Sequence, residues 1–233
     1  MLATALLLSS RLRNDPKSLE KAMLNWENAM FKRYVLAGGD SRDRVGECVR
    51  LASKIRNGNP SVKQILDGLD EIGNVTPDEM AANLNGKGKD VYERWRSEEI
   101  IYFFWKYEER LAAENGEQID QITWGKIWGN TSKEKSVEHI FPQKDPDGNW
   151  KGKARQNVNP ESFVHRLGNL LVLPPGINSK AGTKSFADKV KIYKSVQGLH
   201  HVNKVTRLRD WNLAAIEKRE KELMKFAEEQ WWR

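Results

Sequence analysis

Three short stretches in the second half of the sequence concentrate the side chains that can carry chemistry. They cover residues 137–143, 167–173 and 176–180, and the first of them contains His139. Hydrolysis of a phosphodiester near neutral pH needs a base that activates water and a cation that neutralises the charge of the transition state. A histidine suits the first task because its unperturbed pKa lies close to that pH. We therefore identify His139 as the candidate general base of a phosphodiester hydrolase.

Residues around this histidine can supply oxygen ligands to a hard divalent cation. Mg²⁺ prefers such ligands, and Glu138 and Asn178 carry them. Neighbouring residues of a regular strand face opposite sides, so Glu138 and His139 can share one phosphate only if the strand bends or ends there, as Pro142 would allow. Asn169 is placed to hold the loop backbone that orients His139. A single cysteine excludes a zinc knuckle, so we expect Mg²⁺ or Mn²⁺ and no structural zinc.

Each of these residues also has an ordinary structural interpretation. Glu138 could be a solvent-facing strand carboxylate, Asn178 a helix N-cap and Asn169 an asparagine tolerated at a turn. A histidine in isolation would more often be structural, but the three stretches together favour the catalytic interpretation of His139. The histidine pair at 200–201 is expected at the surface, since adjacent histidines rarely bind one ion.

Basic residues are concentrated in the same part of the chain. Residues 1–130 hold 19 Lys and Arg against 20 Asp and Glu, whereas residues 131–209 hold 15 against six, a net charge of +9. A basic balance confined to one half is expected of a surface that binds a polyanion, although a merely solvated basic surface would have the same composition. The candidate contacts to nucleic-acid phosphates are Lys180, Lys184, Lys191, His165 and Arg166.

The pattern up to residue 130 is typical of a helical scaffold. An Asp-Pro pair at 15–16 predicts the start of a helix with one apolar face. Capping boxes at 61–64 and 76–79 open two further helices. A long helix is predicted over 90–115, after a loop rich in Gly and Lys.

From residue 131 the pattern changes to short strands and helices. Apolar strand-like runs occupy 136–141 and 170–173, and helices are predicted over 183–196 and 211–232. We therefore expect a scaffold domain, 1–130, and a second domain, 131–233, closed by a C-terminal helix, or else one continuous domain.

Composition and hydropathy indicate a folded, soluble protein. Hydrophobic residues make up 39% of the chain and charged residues 30%, which is enough for a core and a solvated surface. The apolar run at residues 3–8 is too short to span a bilayer and lacks the basic lead-in of a secretory signal. We expect a cytoplasmic protein with no membrane partner, in which this run begins a buried helix.

The three stretches resemble the HNH, or His-Me finger, endonucleases. The pattern of that group is an acidic-His-Ile-x-Pro strand, an Asn-Leu-x-x-Leu strand and an Asn or His just inside a helix. The matching residues here are Glu138–Pro142, Asn169–Leu173 and Asn178, and the two asparagines are nine residues apart, as in several such nucleases. The chain departs from the commoner pattern in having Glu138 instead of Asp and Asn178 instead of His. The resemblance implies a mainly α fold with a small ββα-metal module.

A narrower resemblance, to the C-terminal domain of GmrSD-type restriction endonucleases, covers most of the chain. The residues that carry it are Glu138–Gln143, His165–Leu170, Asn178–Lys180, Ser185–Lys189, Trp211 with Ile216–Arg219, and Trp26–Val35. In full-length members of that family a ParB-like NTPase domain comes first and senses modified DNA, and we expect that domain to be missing from this chain. The SspE-like nickases of phage defence are among its members.

These resemblances imply a metal-dependent HNH endonuclease that nicks or cleaves DNA in anti-phage defence. His139 is then the general base, Asn178 and Glu138 are metal ligands, and Asn169 is the orienting residue. The isolated portion is expected to be a monomer. Two alternatives stay open: a non-catalytic DNA-binding module of a defence complex, and an RNase that uses the same site.

Overall fold

The structure, a computed structural model, describes residues 1–85, 91–150 and 159–232. Within these ranges the chain is mainly helical with one two-stranded sheet, which confirms the mainly α prediction. The remaining residues, which include most of the predicted Gly-Lys loop and part of the polar loop after Pro142, lie outside the described part. No described helix has the length and hydrophobicity needed to cross a bilayer.

Backbone contacts divide the chain into two compact units. The first comprises Met1–Gly86 with Trp231–Arg233, and the second comprises Lys87–Gln230. Residue 130, where the sequence pattern suggested a boundary, falls inside the second unit. The residues with candidate chemistry all belong to this second unit.

The first unit is helical throughout its regular elements. Its fully buried residues include Leu6, Leu12, Ile65 and Leu69. The predicted caps are present, since Asp15 accepts a hydrogen bond from the Ser18 amide and Ser61 forms a capping box with Gln64. The elements are α1 Leu2–Leu8, α2 Ser10–Arg13, α3 Pro16–Met30, a π-helical segment Phe31–Leu36, α4 Val45–Asn57, α5 Val62–Ile72 and α6 Pro77–Asn85.

The second unit places two short strands among eight helices of the described chain. Two 3₁₀ turns, Pro160–Ser162 and Leu167–Asn169, precede the second strand. The elements are α7 Val91–Arg94, α8 Ser97–Glu114, α9 Gln121–Trp128, α10 Lys133–Ser136, β1 Val137–His139, β2 Leu170–Val172, α11 Pro175–Ala181, α12 Phe186–Tyr193, α13 His200–Thr206 and α14 Leu213–Trp231.

Local capping explains where helices differ from the sequence prediction. The prediction of one long helix over 90–115 is wrong, because two helices, α7 and α8, lie in this range. Arg96 has an extended backbone and its amide donates to Glu99 Oε2 at 2.8 Å, so the Glu99 side chain caps the start of a new helix there. The helix predicted over 183–196 begins only at Phe186, because Ser185 accepts a hydrogen bond from the Asp188 amide at 3.3 Å and caps it.

The strands form an antiparallel pair that is buried on both sides. Val137 lies opposite Val172, Glu138 opposite Leu171, and His139 opposite Leu170. Helices α8, α11 and α13 pack against this pair. Strand β2 leads through Leu173 and Pro174 into α11, so the local order is strand, strand, helix. The sheet thereby fixes the end of β1, where His139 lies, in the interior of the unit.

A buried ion pair joins the sheet to α8 and α13. The carboxylate of Glu108, fully buried, accepts hydrogen bonds from the backbone amides of His200 and His201 and lies 2.6 Å from His201 Nδ1. The other ring nitrogen, Nε2, lies 3.1 Å from the Val172 carbonyl oxygen. Both ring nitrogens therefore lie beside oxygen atoms, so this one ring links α8 to β2. The prediction that His201 is a surface residue is wrong, because it is 1% exposed.

We predict that Glu108→Gln destabilises the protein by about 1–3 kcal/mol at pH 7, because the amide nitrogen that replaces one carboxylate oxygen cannot accept the hydrogen bonds made there. Burial alone would raise the pKa of Glu108, but the hydrogen bonds and charge of His201 and the two backbone amides hold it below its ordinary value of 4.5. The stabilisation is therefore complete above that ordinary value and is lost as the pH falls through the lower folded-state pKa. In urea denaturation, the difference in unfolding free energy between wild type and variant should be smaller at pH 3 than at pH 7. An equal gap at both pH values would contradict it.

Candidate active site

The candidate site is a cleft of about 340 Å³ at the end of β1. His139, the last residue of β1, and Asn178, in α11, both line it. The sheet register and the short connection from β2 into α11 bring these residues together from distant parts of the sequence. The other lining residues are Tyr92, Glu134, Val137, Glu138, Pro142, Gln143, Lys144, Ser179, Gly182 and Thr183.

The imidazole of His139 is buried and contacts two polar side chains. Its Nδ1 lies 3.1 Å from Gln143 Nε2, and its Nε2 lies 3.1 Å from His165 Nδ1. Because the Gln143 amide nitrogen is a donor, Nδ1 accepts and the ring proton resides on Nε2, which donates to His165. Tyr92 meets the His139 ring edge-on at 4.4 Å and stacks on His165 at 5.4 Å. The ring is held in one orientation and one tautomer.

The environment of His139 keeps the ring neutral. Burial, followed by the charges of His165 and Lys189, lowers its pKa to about 3. A neutral imidazole is the form that can accept a proton from water. The ring is thus oriented and unprotonated, as a general base must be, but a pKa of about 3 makes it a weaker base than the ordinary histidine on which the sequence assignment rested.

Asn169 ties the backbone after His139 to its surroundings. The side chain is fully buried. Its Oδ1 accepts from the Phe141 amide at 2.8 Å and from the Trp211 indole at 3.0 Å, and its Nδ2 donates to the carbonyls of Phe141 and Val164, each at 2.8 Å. Oδ1 thus accepts two hydrogen bonds and Nδ2 donates two, which uses both hydrogens and both lone pairs of the side-chain amide. The loop that follows His139 is thereby fixed to the start of β2.

The amide of Asn178 is oriented by the backbone of α10 and β1. Nδ2 donates to the carbonyl oxygens of Glu134 at 3.0 Å and Val137 at 3.4 Å. Asn178 is the fourth residue of α11, and Pro174 occupies the N-cap position. The alternative that Asn178 is a helix N-cap is therefore wrong. Since its nitrogen is bound to backbone carbonyls, its oxygen is the atom left for another partner.

Glu138 contacts a different set of groups from its neighbour His139. Its Oε1 accepts from Lys189 Nζ and from the Tyr193 hydroxyl, each at 2.6 Å. Burial raises the pKa of Glu138, although the charge and hydrogen bonds of Lys189 and Tyr193 oppose this rise. The residue is 4% exposed, so the alternative of a solvent-facing carboxylate is wrong. Its ligation of a metal stays a prediction.

The predicted phosphate contacts fall into two groups. Lys180, Lys184 and Lys191 are exposed, and Lys191 pairs with Asp188 at the surface. Arg166 is instead largely buried and ion-paired with Glu220. His165 contacts His139, as described above.

Sequence reasoning missed Tyr92, Gln143 and Lys189. Gln143 follows His139 by four residues, so its proximity had a local signal. Tyr92 and Lys189 come from helices far away in the sequence, and no local pattern marks them. Among the described residues no group of three or more His, Cys, Asp or Glu is arranged to hold a metal ion, so a metal here would need amide, water or substrate oxygens beside any single carboxylate.

Comparison with known proteins identifies one family. The family model for the C-terminal domain of GmrSD restriction endonucleases matches residues 76–226, which is more than half of the chain. A search of curated proteins found no match. A search of solved structures likewise found none. The matched range includes His139, Asn169 and Asn178 together with every helix that contacts them.

We predict that Asn169→Ala lowers the free energy of unfolding by at least about 3 kcal/mol, because each buried group left without a partner costs about 1–3 kcal/mol. Asn169→Asp should be destabilising too, since a carboxylate cannot donate to the carbonyls of Phe141 and Val164. The matched control is Asn149→Ala at an exposed position, which should change the stability by less than about 0.5 kcal/mol. Urea denaturation followed by circular dichroism measures all three. Wild-type stability in Asn169→Ala would show that this amide does not hold the loop.

Proposed function

The chain belongs to the GmrSD restriction endonuclease C-terminal domain family, and from this premise we propose that it is a metal-dependent HNH endonuclease that cuts DNA, with His139 as its general base. The family establishes a nuclease of restriction systems. The HNH subtype, the metal and the residue roles belong to the proposal. We propose further that the strands β1 and β2 with α11 form the ββα-metal module.

One observation carries the proposal: a neutral, oriented imidazole shares a cleft with a side-chain amide whose nitrogen is already bound. His139 and Asn178 line this cleft together. The backbone carbonyls that bind Asn178 Nδ2 leave its Oδ1 as the free acceptor. A base beside an oxygen ligand is the minimum that metal-assisted hydrolysis of a phosphodiester requires.

In the proposed reaction His139 removes a proton from the attacking water. The water oxygen forms a bond to phosphorus while the bond between phosphorus and the leaving sugar oxygen breaks, and solvent supplies the proton to that oxygen. Gln143 occupies the His139 Nδ1 lone pair at 3.1 Å, and we propose that water replaces this exposed amide when a phosphate enters the cleft. We propose His165 as a positioning residue. Its Nδ1 accepts a hydrogen bond from the Nε2–H group of His139, so the ring proton stays on Nε2 and His139 Nδ1 can act as the base.

The residues at the cleft fit a single hard cation. Asn178 Oδ1 would be one ligand, and the exposed Glu134, which also lines the cleft, offers a carboxylate close by. Mg²⁺ commonly retains several waters and binds phosphate oxygens directly, so few protein ligands are needed. A bound cation would neutralise the charge that develops on the phosphate. One site of this kind cuts one strand in each event, so we propose nicking of DNA.

We predict that His139→Ala reduces plasmid nicking by about 10²–10⁴-fold, because the base is lost. Wild-type activity should require Mg²⁺ or Mn²⁺ and should disappear with EDTA. The measurement is conversion of supercoiled plasmid to the open circle, with a single-stranded RNA substrate run in parallel to test the RNase alternative.

The control for this variant is His200→Ala, at a histidine that lies outside the cleft and pairs with Glu117 at 3.3 Å. It should cleave at the wild-type rate. Circular dichroism should show that His139→Ala remains folded. Cleavage by folded His139→Ala at the wild-type rate would refute the assignment of the base.

We predict that DNA binding by this chain is independent of sequence and strongly dependent on salt. If about six basic groups meet phosphates, log K should fall with log salt concentration at a slope near −5 for duplex DNA. Charge reversal of the exposed Lys184 and Lys191 to Glu should flatten the slope, whereas reversal of Lys17 and Lys21 should not. Fluorescence anisotropy with two unrelated duplexes over about 50–200 mM salt measures this. A salt-insensitive affinity would contradict it.

A further inference from the structure

A fully buried lysine contacts both the backbone and the side chain of the candidate catalytic strand. Lys189 is 0% exposed. Its Nζ donates to the His139 carbonyl oxygen at 2.7 Å and to Glu138 Oε1 at 2.6 Å. Lysine is almost never fully buried unless its charge is paired. The contact with the backbone of the candidate base makes this lysine more than a packing residue.

A second donor from the same helix reaches the Glu138 oxygen that Lys189 contacts. Tyr193, also fully buried, donates its hydroxyl to the same Glu138 Oε1 at 2.6 Å. Lys189 and Tyr193 are four residues apart on α12, so they lie on one face of that helix. The Trp150 ring lies 5.8 Å from the ammonium and covers it further. Helix α12 therefore binds β1 through a desolvated ion pair and one phenol.

The position of the bonded carbonyl gives this ion pair a bearing on chemistry. His139 is the last residue of β1, where pairing with β2 stops. Lys189 holds the backbone at that point, one bond from the Cα that carries the imidazole. A displacement of about 1 Å in a catalytic group can cost about 100-fold in rate.

We propose that Lys189 is a positioning residue for His139, with Glu138 as its buried counterion rather than a metal ligand. The inference rests on the proposed function of His139 as the base. It differs from the sequence expectation for Glu138, whose Oε1 is filled by two donors. Glu138 also borders the cleft, so the competing outcome, ligation of a metal, can be tested directly.

The kinetic test compares Lys189→Met, Tyr193→Phe and Glu138→Gln in the full chain. Lys189→Met should lower kcat for plasmid nicking by about 100-fold, with KM and the half-saturating Mg²⁺ concentration within about twofold of wild type. Tyr193→Phe, which removes one hydroxyl and should fold, should lower kcat by several fold. The matched control is Lys126→Met at an exposed lysine of α9, which should leave all three constants unchanged. Wild-type kcat in a folded Lys189→Met would overturn the positioning role.

Glu138→Gln separates the counterion from a metal ligand. If Glu138 is a counterion, the half-saturating Mg²⁺ concentration of the Glu138→Gln variant should lie within about twofold of the wild-type value. The double variant with Lys189→Met should unfold at a higher temperature than Lys189→Met alone, because the stranded carboxylate has been removed. A rise of about tenfold or more in the Mg²⁺ requirement of Glu138→Gln would overturn the inference in favour of metal ligation.

A measurement without metal or substrate keeps the inference distinct from the proposed function. The chain has four histidines, so the imidazole ¹⁵N signals of His139 can be assigned by substitution. Lys189→Met should shift these signals, whereas Lys126→Met should not. If wild type cuts no nucleic acid, the proposed function fails while the shifts still test the position of the ring. Unshifted signals in folded Lys189→Met would overturn the positioning role whatever the activity.

Discussion

The sheet that carries the candidate base does not supply enough backbone N–H donors for the carbonyl groups in and beside it. It consists of two strands of three residues each, buried on both sides, and buried carbonyl groups without donors are costly. Buried basic residues from three different helices lie against those carbonyl groups. Lys189 binds the carbonyl of His139, His201 lies against that of Val172, and Arg219 donates to those of Gly168 and Leu170. The geometry of the site depends on this arrangement of charges around a minimal sheet.

Buried cations of this kind make the site specific more than they make it stable. Each must be desolvated, and the gain from a buried pair is often close to that cost. Two of them are balanced by buried carboxylates, Glu138 beside Lys189 and Glu108 beside His201. For Arg219, burial lowers the pKa to about 10, and the charges of Tyr107 and Glu222 oppose this shift. The pairs fix which carbonyl each helix meets, and so set the register of the helices on the sheet.

The sequence predicted the parts of the site that have local signals. The strands predicted at 136–141 and 170–173 appear at Val137–His139 and Leu170–Val172, because β-like runs ended by proline are visible in a short window. Strand alternation also predicted that Glu138 and His139 face different ways, but it could not say what Glu138 would meet. Lys189 lies 50 residues beyond His139, and His201 lies 93 beyond Glu108. Contacts at that separation have no periodic signature, so the buried charges were missed and His201 was assigned to the surface.

A general base must be held rigidly and must still offer a lone pair to water, and the structure divides these demands between two sides of His139. On the backbone side, Lys189 and Asn169 are fully buried, so breaking their bonds would leave polar groups without partners. On the ring side, the lone pair of Nδ1 is covered by Gln143, an exposed residue whose side chain also bonds Tyr92. Exchange of an exposed amide for water costs little, because each can satisfy the other's hydrogen bonds in solvent. In the proposed reaction, substrate would therefore displace the exposed Gln143 contact, while the buried contacts that aim the imidazole would stay in place.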